Sequence, residues 1–157
     1  MSPIKEAVDE FLAQDRLAVA GVSRSGNEAA NAIYKKLKGA GYSVFPTNPS
    51  ADEVEGDPCY PDLKSIPDGV SGVVIATHPK VALTIVEECS ELGINHVWFH
   101  RSFGQGSVAQ EAISFCRDNN IKVIPGGCPM MFVEKVDIGH KCMRWFLGMT
   151  GGLPKEV

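Results

Sequence analysis

The sequence predicts an α/β domain built on a doubly wound, mainly parallel sheet of five strands. Short runs rich in β-branched residues alternate along the chain with amphipathic stretches of about 10–15 residues. One run, "GVVIAT", is apolar throughout, as expected for a strand that is covered on both faces. The chain has 157 residues, of which 44% are hydrophobic and 22% charged, which favours one folded domain over 1–157.

The chain is expected to open with a helix over 3–15 that packs on the rest of the domain. Ser2 and Pro3 give the N-cap and first-turn signals, and Ile4, Val8 and Phe11 follow at helical spacing. The strands are expected at 17–20, 42–45, 72–77, 96–99 and 122–125, with Pro46 ending the second one.

Helices are expected between these strands. They are predicted over 27–38, from Pro79 to a terminating Gly93, and over 107–119 and 131–147, with Val81 and Leu92 facing the core. A single turn is expected over 62–66. Strands that alternate with helices form βαβ units with right-handed crossovers, so the fold is predicted to be Rossmann-like, with its core over 17–129.

Composition excludes several functional classes. The net charge of −4, with no long basic cluster, argues against a nucleic-acid partner. We expect no membrane partner and a cytoplasmic location, because the N-terminus lacks a signal-peptide core and no apolar run reaches about 18 residues. Five cysteines without a C-x-x-C pair are typical of reduced thiols.

Ligands of such sheets bind beyond the carboxyl ends of the strands, where the strand order reverses. Five loops are therefore candidates for a binding site. In chain order, the first to the fifth loop are Gly21–Asn27, Pro46–Ser50, Thr77–Pro79, His100–Gly106 and Pro125–Pro129.

The first loop contains "GVSRSG", which differs from two known patterns. Ser23 replaces the second glycine of the dinucleotide pattern G-x-G-x-x-G, and Ser25 replaces the last glycine of the hydrolase pattern G-x-S-x-G. Gly21 permits a tight turn, and the N-terminus of the following helix favours a phosphate group, to which Arg24 can add charge. The alternative is a plain turn with an exposed arginine.

The second loop lacks the carboxylate that binds the ribose of NAD. Thr47 and Asn48 stand at that position, which argues against NAD and tolerates a phosphorylated ribose, as in NADP or coenzyme A. The alternative is that Asn48 and Pro49 simply form a turn.

The remaining loops offer further candidates. Thr77 is expected to cap the next helix and to direct its hydroxyl into the crevice, while His78 has a catalytic interpretation and a solvated-loop one. In the fourth loop Ser102 and Gly104 flank Phe103, which could contact an adenine or a pantetheine arm.

Cys128 precedes a predicted helix N-terminus, where thiol pKa values fall, but no histidine or acid can be assigned as its partner. We expect no catalytic residue and no metal site, since the histidine and cysteine spacings match no ligand set.

Several short segments form an ordered set between Leu17 and Pro129. The segments are Gly21-Val22-Ser23-Arg24 with Asn31, Asn48-Pro49, Tyr60-Pro61 before Leu63 and Ile66, Ala76-Thr77 with Pro79, and Gly127-Cys128-Pro129. This set resembles the small stand-alone bacterial CoA-binding proteins, which are similar to the CoA-binding domain of the succinyl-CoA synthetase α-subunit and of NDP-forming acyl-CoA synthetases.

The resemblance implies coenzyme A, free or acylated, across the carboxyl edge of the sheet. Gly21–Arg24 would meet its phosphates, Thr47 and Asn48 the 3′-phospho-adenosine end, and the segment from Ala76 to Pro79 the diphosphate or pantetheine. The candidate binding residues are Gly21, Val22, Ser23, Arg24, Asn31, Thr47, Asn48, Ala76, Thr77, Pro79, Ser102, Phe103 and Gly104.

The related synthetases carry their catalytic machinery on further domains, so the resemblance implies a binding module without catalysis of its own. It would act as a homodimer or with a partner enzyme. Two other hypotheses stay open. One is an NAD(P)-binding oxidoreductase or redox sensor, and the other is a small thiol or hydrolytic enzyme that uses Cys128, Ser23 or His78.

Overall fold

A five-stranded parallel sheet forms the centre of the molecule. The computed structural model describes residues 3–101, 105–133, 147 and 149. The strands of this part are β1 (Arg16–Ala20), β2 (Ser43–Thr47), β3 (Glu53–Val54), β4 (Asp57–Pro58), β5 (Gly72–Ile75), β6 (His96–Phe99) and β7 (Lys122–Ile124). The sheet order is β2-β1-β5-β6-β7 with parallel neighbours throughout, and β3 and β4 form a separate antiparallel hairpin.

The helices cover both faces of the sheet. The described ones are α1 (Pro3–Leu12), α2 (Ala29–Gly39), α3 (Pro79–Leu92), α4 (Gln110–Asp118) and a short 3-10 helix (Pro129–Met131). One core cluster joins α1 and α2 to the sheet, and a second joins α3 and α4 to it. The doubly wound, Rossmann-like α/β fold is thereby confirmed, and the strand order reverses between β1 and β5.

Alternating side chains of each strand enter the two core clusters, because successive residues of a strand face opposite sides of the sheet. Leu17 and Val19 belong to the cluster with α1 and α2, and Ala18 to the one with α3 and α4. Phe11 packs edge-to-face on Trp98, with ring centroids 5.4 Å apart, and so holds α1 against the sheet.

Pro46 does not end the second strand, contrary to the prediction, because β2 is an edge strand. Pro46 is paired with Val19 of β1 in the sheet register. On the side of β2 that faces β1, the Thr47 carbonyl accepts a hydrogen bond from the Gly21 N–H. The Pro46 carbonyl faces outward, where it accepts the N–H of Tyr60. The missing proline N–H therefore falls on the outer side and interrupts no bond to β1.

The hairpin of β3 and β4 was not predicted. Its two-residue turn places Glu55 at φ 53° and Gly56 at φ 78°, the two positive values that a tight hairpin turn requires. Glutamate seldom adopts this conformation, so "EVEGDP" gave little sign of a turn.

Several predicted helix boundaries also differ. α4 begins at Gln110 rather than 107, because Ser107 is used in the preceding loop, where its hydroxyl donates to the Thr77 carbonyl at 2.6 Å. The helix predicted over 131–147 starts at Met131, which is the last residue of the observed 3-10 helix. Most of the remaining predicted helix lies outside the described residues. Among the residues described, no helix has the length and apolar character needed to cross a membrane.

Candidate functional site

A cleft of about 610 Å³ lies at the carboxyl edge of the sheet, where the strand order reverses. We call it the carboxyl-edge cleft. The first three loops, the segment after Tyr60 and one side of α3 form its walls. Its lining residues are Ala20, Gly21, Ser23, Glu28, Thr47, Asn48, Pro49, Pro61, Asp62, Leu63, Ala76, Thr77, His78, Val81, Thr84, Ile85 and Glu88.

The structure brings six of the candidate binding residues together in this cleft: Gly21, Ser23, Thr47, Asn48, Ala76 and Thr77. Four others do not line it. Val22 is a buried residue of the first loop and Asn31 is buried beneath that loop. Arg24 is exposed on the loop, and Pro79 begins α3. Ser102, Phe103 and Gly104 lie outside the described residues.

Gly21 brings the first loop into contact with both neighbouring loops. Its φ is +103°, and a Cβ at this position would lie 2.4 Å from the carbonyl oxygen of Ala76. Its N–H donates to the carbonyl of Thr47 at 3.0 Å. Only glycine fits here, because a side chain would both strain the backbone and overlap the third loop.

Asn31 holds the first loop from below. Its Oδ1 accepts the N–H of Ser23 at 2.9 Å, and its Nδ2 donates to the Ser23 carbonyl at 2.7 Å and to Oε1 of Glu55 at 2.8 Å. The residue is 0% exposed. Its observed role is to support the loop backbone, and a direct contact with a ligand stays a prediction.

Asn48 joins the second loop to the first. Its Nδ2 donates to the carbonyl of Val22 at 2.9 Å, and its Oδ1 accepts the N–H of Ser50 at 2.8 Å. The predicted turn at Asn48 and Pro49 is therefore present, and the same amide also fixes the distance between the two loops.

His78, and not Thr77, caps α3. The imidazole Nδ1 of His78 accepts the N–H of Lys80 at 3.2 Å, while the Thr77 hydroxyl donates to the His78 carbonyl at 3.2 Å. The predicted cap at Thr77 is wrong by one residue, because His78 is the last residue in extended conformation before Pro79 begins the helix.

One side of α3 forms an apolar wall that was not predicted. Val81, assigned to the core stripe, is 46% exposed and lines the cleft with Ile85; Leu92, also assigned there, is exposed too. Thr84 and Glu88 follow on the same side at a spacing of three to four residues. The stripe formed by Val81, Thr84, Ile85 and Glu88 is the sequence signal that could have identified α3 as a wall of the site.

Two carboxylates of the cleft hold the turn over 62–66. Asp62 accepts the N–H of Ser65 at 2.9 Å and its hydroxyl at 2.6 Å, and Glu88 accepts the N–H of Lys64 at 3.0 Å. In these hydrogen bonds, carboxylate oxygens of both Asp62 and Glu88 are the acceptors. The bonds fix the turn over 62–66, which carries Leu63, against α3.

Cys128, the candidate for thiol chemistry, does not line the cleft. Cys128 is 2% exposed and lies before the 3-10 helix. Burial raises the pKa of the Cys59 thiol, and it raises that of Cys116 to about 12.

Within the described residues no group of three histidine, cysteine or acidic side chains could hold a metal ion. Two further cavities, of about 490 and 600 Å³, contain none of the predicted site residues.

Comparisons with known proteins identify the family of this chain. Residues 15–134 match a family described as "CoA binding domain". An ADP-forming acetate–CoA ligase (II) of Archaeoglobus fulgidus is 35% identical over 80 residues, which are 50% of this chain and 12% of the ligase. The chain therefore spans about an eighth of that relative's length.

Two relatives are similar over most of their length. Bacillus subtilis YneT is 27% identical over 128 residues, which cover 81% of this chain and 92% of YneT. The structure of a hypothetical protein from Pyrococcus horikoshii OT3 is similar with a TM-score of 0.76 and 30% identity, over 83% of this chain and 90% of that one. Because the family match extends over most of the sequence and includes all the cleft-forming loops, this chain belongs to the CoA-binding domain family.

Proposed function

We propose that the protein binds coenzyme A or an acyl-CoA in the carboxyl-edge cleft. The observation that carries the proposal is the convergence of the first, second and third loops on one cleft at the reversal point of the sheet, in a chain of this family. Its volume of about 610 Å³ lies within the range of small-molecule sites.

The first loop is the proposed phosphate site. The missing Cβ of Gly21 lets the first loop pack against the Ala76 carbonyl, and Gly21 and Ser23 both line the cleft, where the Ser23 hydroxyl can donate to a phosphate oxygen. The N-cap of α2, Glu28, makes no side-chain bond to the first turn, so this helix end has no capping side chain of its own. Arg24 adds a positive charge at the exposed side of the loop.

The second and third loops are proposed to hold the two ends of the ligand. Thr47, with the loop that Asn48 fixes, would meet the 3′-phospho-adenosine end. The diphosphate or the pantetheine arm would meet Ala76, Thr77 and the start of α3 at Pro79. The apolar portions of the pantetheine arm match the wall formed by Val81, Ile85 and Leu63.

We further propose that the domain, with its core over 17–129, binds and presents the ligand without catalysing a reaction on it. Two observations support this. Cys128 is buried, and the Nδ1 atom of His78 is occupied by the Lys80 N–H. The matched ligases contain this region as a small part of a larger enzyme, so we propose a partner enzyme or a second copy of this chain as the user of the bound ligand.

Two matched substitutions on α3 test this proposal. Val81 and Leu92 are exposed to a similar extent, 46% and 45%, but only Val81 lines the cleft. Val81→Glu places a carboxylate in the apolar wall proposed for the pantetheine arm, and we expect it to weaken CoA binding at least about tenfold in titration calorimetry. Leu92→Glu should bind CoA as the parent protein does. Equal affinity of both variants, with native circular dichroism, would place the ligand elsewhere.

A further inference from the structure

The hairpin of β3 and β4 contacts α2 through two carboxylates. Oδ2 of Asp57 accepts the hydroxyl of Tyr34 at 2.6 Å and also the ammonium of Lys38. Two residues earlier in the chain, in the hairpin turn, Glu55 contacts the N-terminal half of the same helix, at Asn31. The first contact fastens the hairpin to the helix, and the second reaches the residue that supports the first loop.

Glu55 is held in a conformation that glutamate seldom adopts. Its φ of 53° is left-handed, and its side chain is nevertheless only 20% exposed, with Oε2 lying 3.9 Å from the ammonium of Lys35. A Cβ on Gly26 would lie 3.6 Å from its Oε1, so the carboxylate also lies beside the first loop itself. Unfavourable backbone conformations persist where the surrounding contacts require them.

The contact with Glu55 completes the hydrogen bonding of a buried amide. Asn31 is fully buried and its Nδ2 carries two hydrogens. One is donated to the Ser23 carbonyl, and the other goes to Oε1 of Glu55. Without an acceptor at residue 55 a buried donor would lose its partner, which costs more than the bond itself contributes.

We propose that Glu55 is a positioning residue for the first loop: its carboxylate accepts the second Nδ2 hydrogen of Asn31, so that the amide stays in place to hold the Ser23 N–H and carbonyl. The effect on ligand affinity rests on the proposed function, whereas the effect on the loop does not.

Three variants separate this role from other contributions of the hairpin. Glu55→Gly removes the acceptor while it relieves the unfavourable φ, so the hairpin turn itself is not weakened. Glu55→Gln keeps an acceptor oxygen and removes the charge. Asp57→Ala is the matched control, because it loosens the hairpin from α2 without touching Asn31.

The direct measurement is hydrogen exchange of the Ser23 amide in the protein without added ligand. We expect exchange to be about tenfold faster in Glu55→Gly and close to the parent rate in Glu55→Gln and Asp57→Ala. An unchanged rate in Glu55→Gly, or an equal acceleration in Asp57→Ala, would overturn the proposal.

Affinity for CoA is the second readout. We expect Glu55→Gly to bind CoA about tenfold more weakly and Glu55→Gln to stay within about twofold of the parent protein. If both variants bind more tightly, the carboxylate acts by repelling phosphate, and the positioning role is wrong; equal weakening in both would also contradict it. A parent protein that does not bind CoA refutes the proposed function, while the Ser23 exchange rates still decide the role of Glu55.

Discussion

The backbone of Gly21 approaches the carbonyl oxygen of Ala76 so closely that a Cβ at residue 21 would lie 2.4 Å from that oxygen. These residues follow β1 and β5, the two strands between which the sheet order reverses. Close approach of the two loops forms the floor of the carboxyl-edge cleft. The glycine at the end of "LAVAG" is therefore required by the neighbouring strand as well as by its own turn.

Gly21→Ala should destabilise the fold. A positive φ of 103° and the overlap with Ala76 add two costs, and we expect the free energy of unfolding to fall by roughly 2 to 5 kcal/mol in urea denaturation. Gly39→Ala is the control, because Gly39 ends α2 with no atom within 4 Å of a new Cβ. That variant should be neutral or slightly stabilising. Equal stability of the two variants would contradict the close approach.

Asn48→Ala should separate the second loop from the first. The loss of its bonds to Val22 and Ser50 should lower the free energy of unfolding by about 1–2 kcal/mol. CoA binding should weaken about tenfold, because the ligand must then order the loops itself. Asn119→Ala removes a similar side-chain bond, to the Phe115 carbonyl at the end of α4, and should leave affinity unchanged. A normal affinity for Asn48→Ala would show that the bridge between the loops is not needed for binding.

Arg24→Ala should weaken the binding of CoA and of dephospho-CoA by the same factor. We propose that Arg24, on the loop proposed as the phosphate site, meets the diphosphate, which both compounds contain, and an exposed arginine contact of this kind is worth about 1 kcal/mol, or roughly fivefold. The control is Arg117→Ala, an exposed cation on α4 that does not line the cleft. A larger loss for CoA would assign Arg24 to the 3′-phosphate, and no loss would make it a solvated loop residue.

Asp57 should make the stability of the protein depend on pH in the acid range. Hydrogen bonds from Lys38 and Tyr34 lower the pKa of its carboxyl below the usual 3.8. The folded state therefore holds the proton less tightly than the unfolded chain. The stabilisation is complete above the unfolded pKa and is lost as the pH falls through the folded one.

The corresponding measurement compares the parent protein with Asp57→Asn in urea at several pH values. The parent should be more stable at pH 7, and the difference should shrink below about pH 4. A difference that stays constant down to pH 2 would mean that the charge of Asp57 does not contribute.

Much of the fold could be predicted from the sequence because local signals and tertiary packing agree there. The strand "HVWF" and the helix from Pro79 to a glycine at position 93 were predicted with the observed ends, since a buried apolar run, a first-turn proline and a left-handed terminal glycine determine them locally. β2 continued through Pro46 because its outer edge tolerates a missing N–H, which depends on the position of the strand in the sheet.

The candidate site was predicted only in part for a similar reason. Gly21, Thr47 and Ala76 could be placed in the cleft because each lies at the carboxyl end of a strand of a parallel sheet. The support from Asn31 and Glu55 could not be predicted, since it depends on a hairpin whose turn residue is atypical. Val81 was assigned to the core, because an apolar residue that lines a cleft gives the same helical pattern as one that is buried.

The most direct test of CoA binding is a calorimetric titration of the purified full chain with CoA, repeated in the presence of NADPH. We predict saturable binding of one CoA per chain, with an affinity that about 1 mM NADPH does not reduce. No heat at about 1 mM CoA, or saturable NADPH binding that CoA does not displace, would contradict the central claim that the carboxyl-edge cleft is a coenzyme A site.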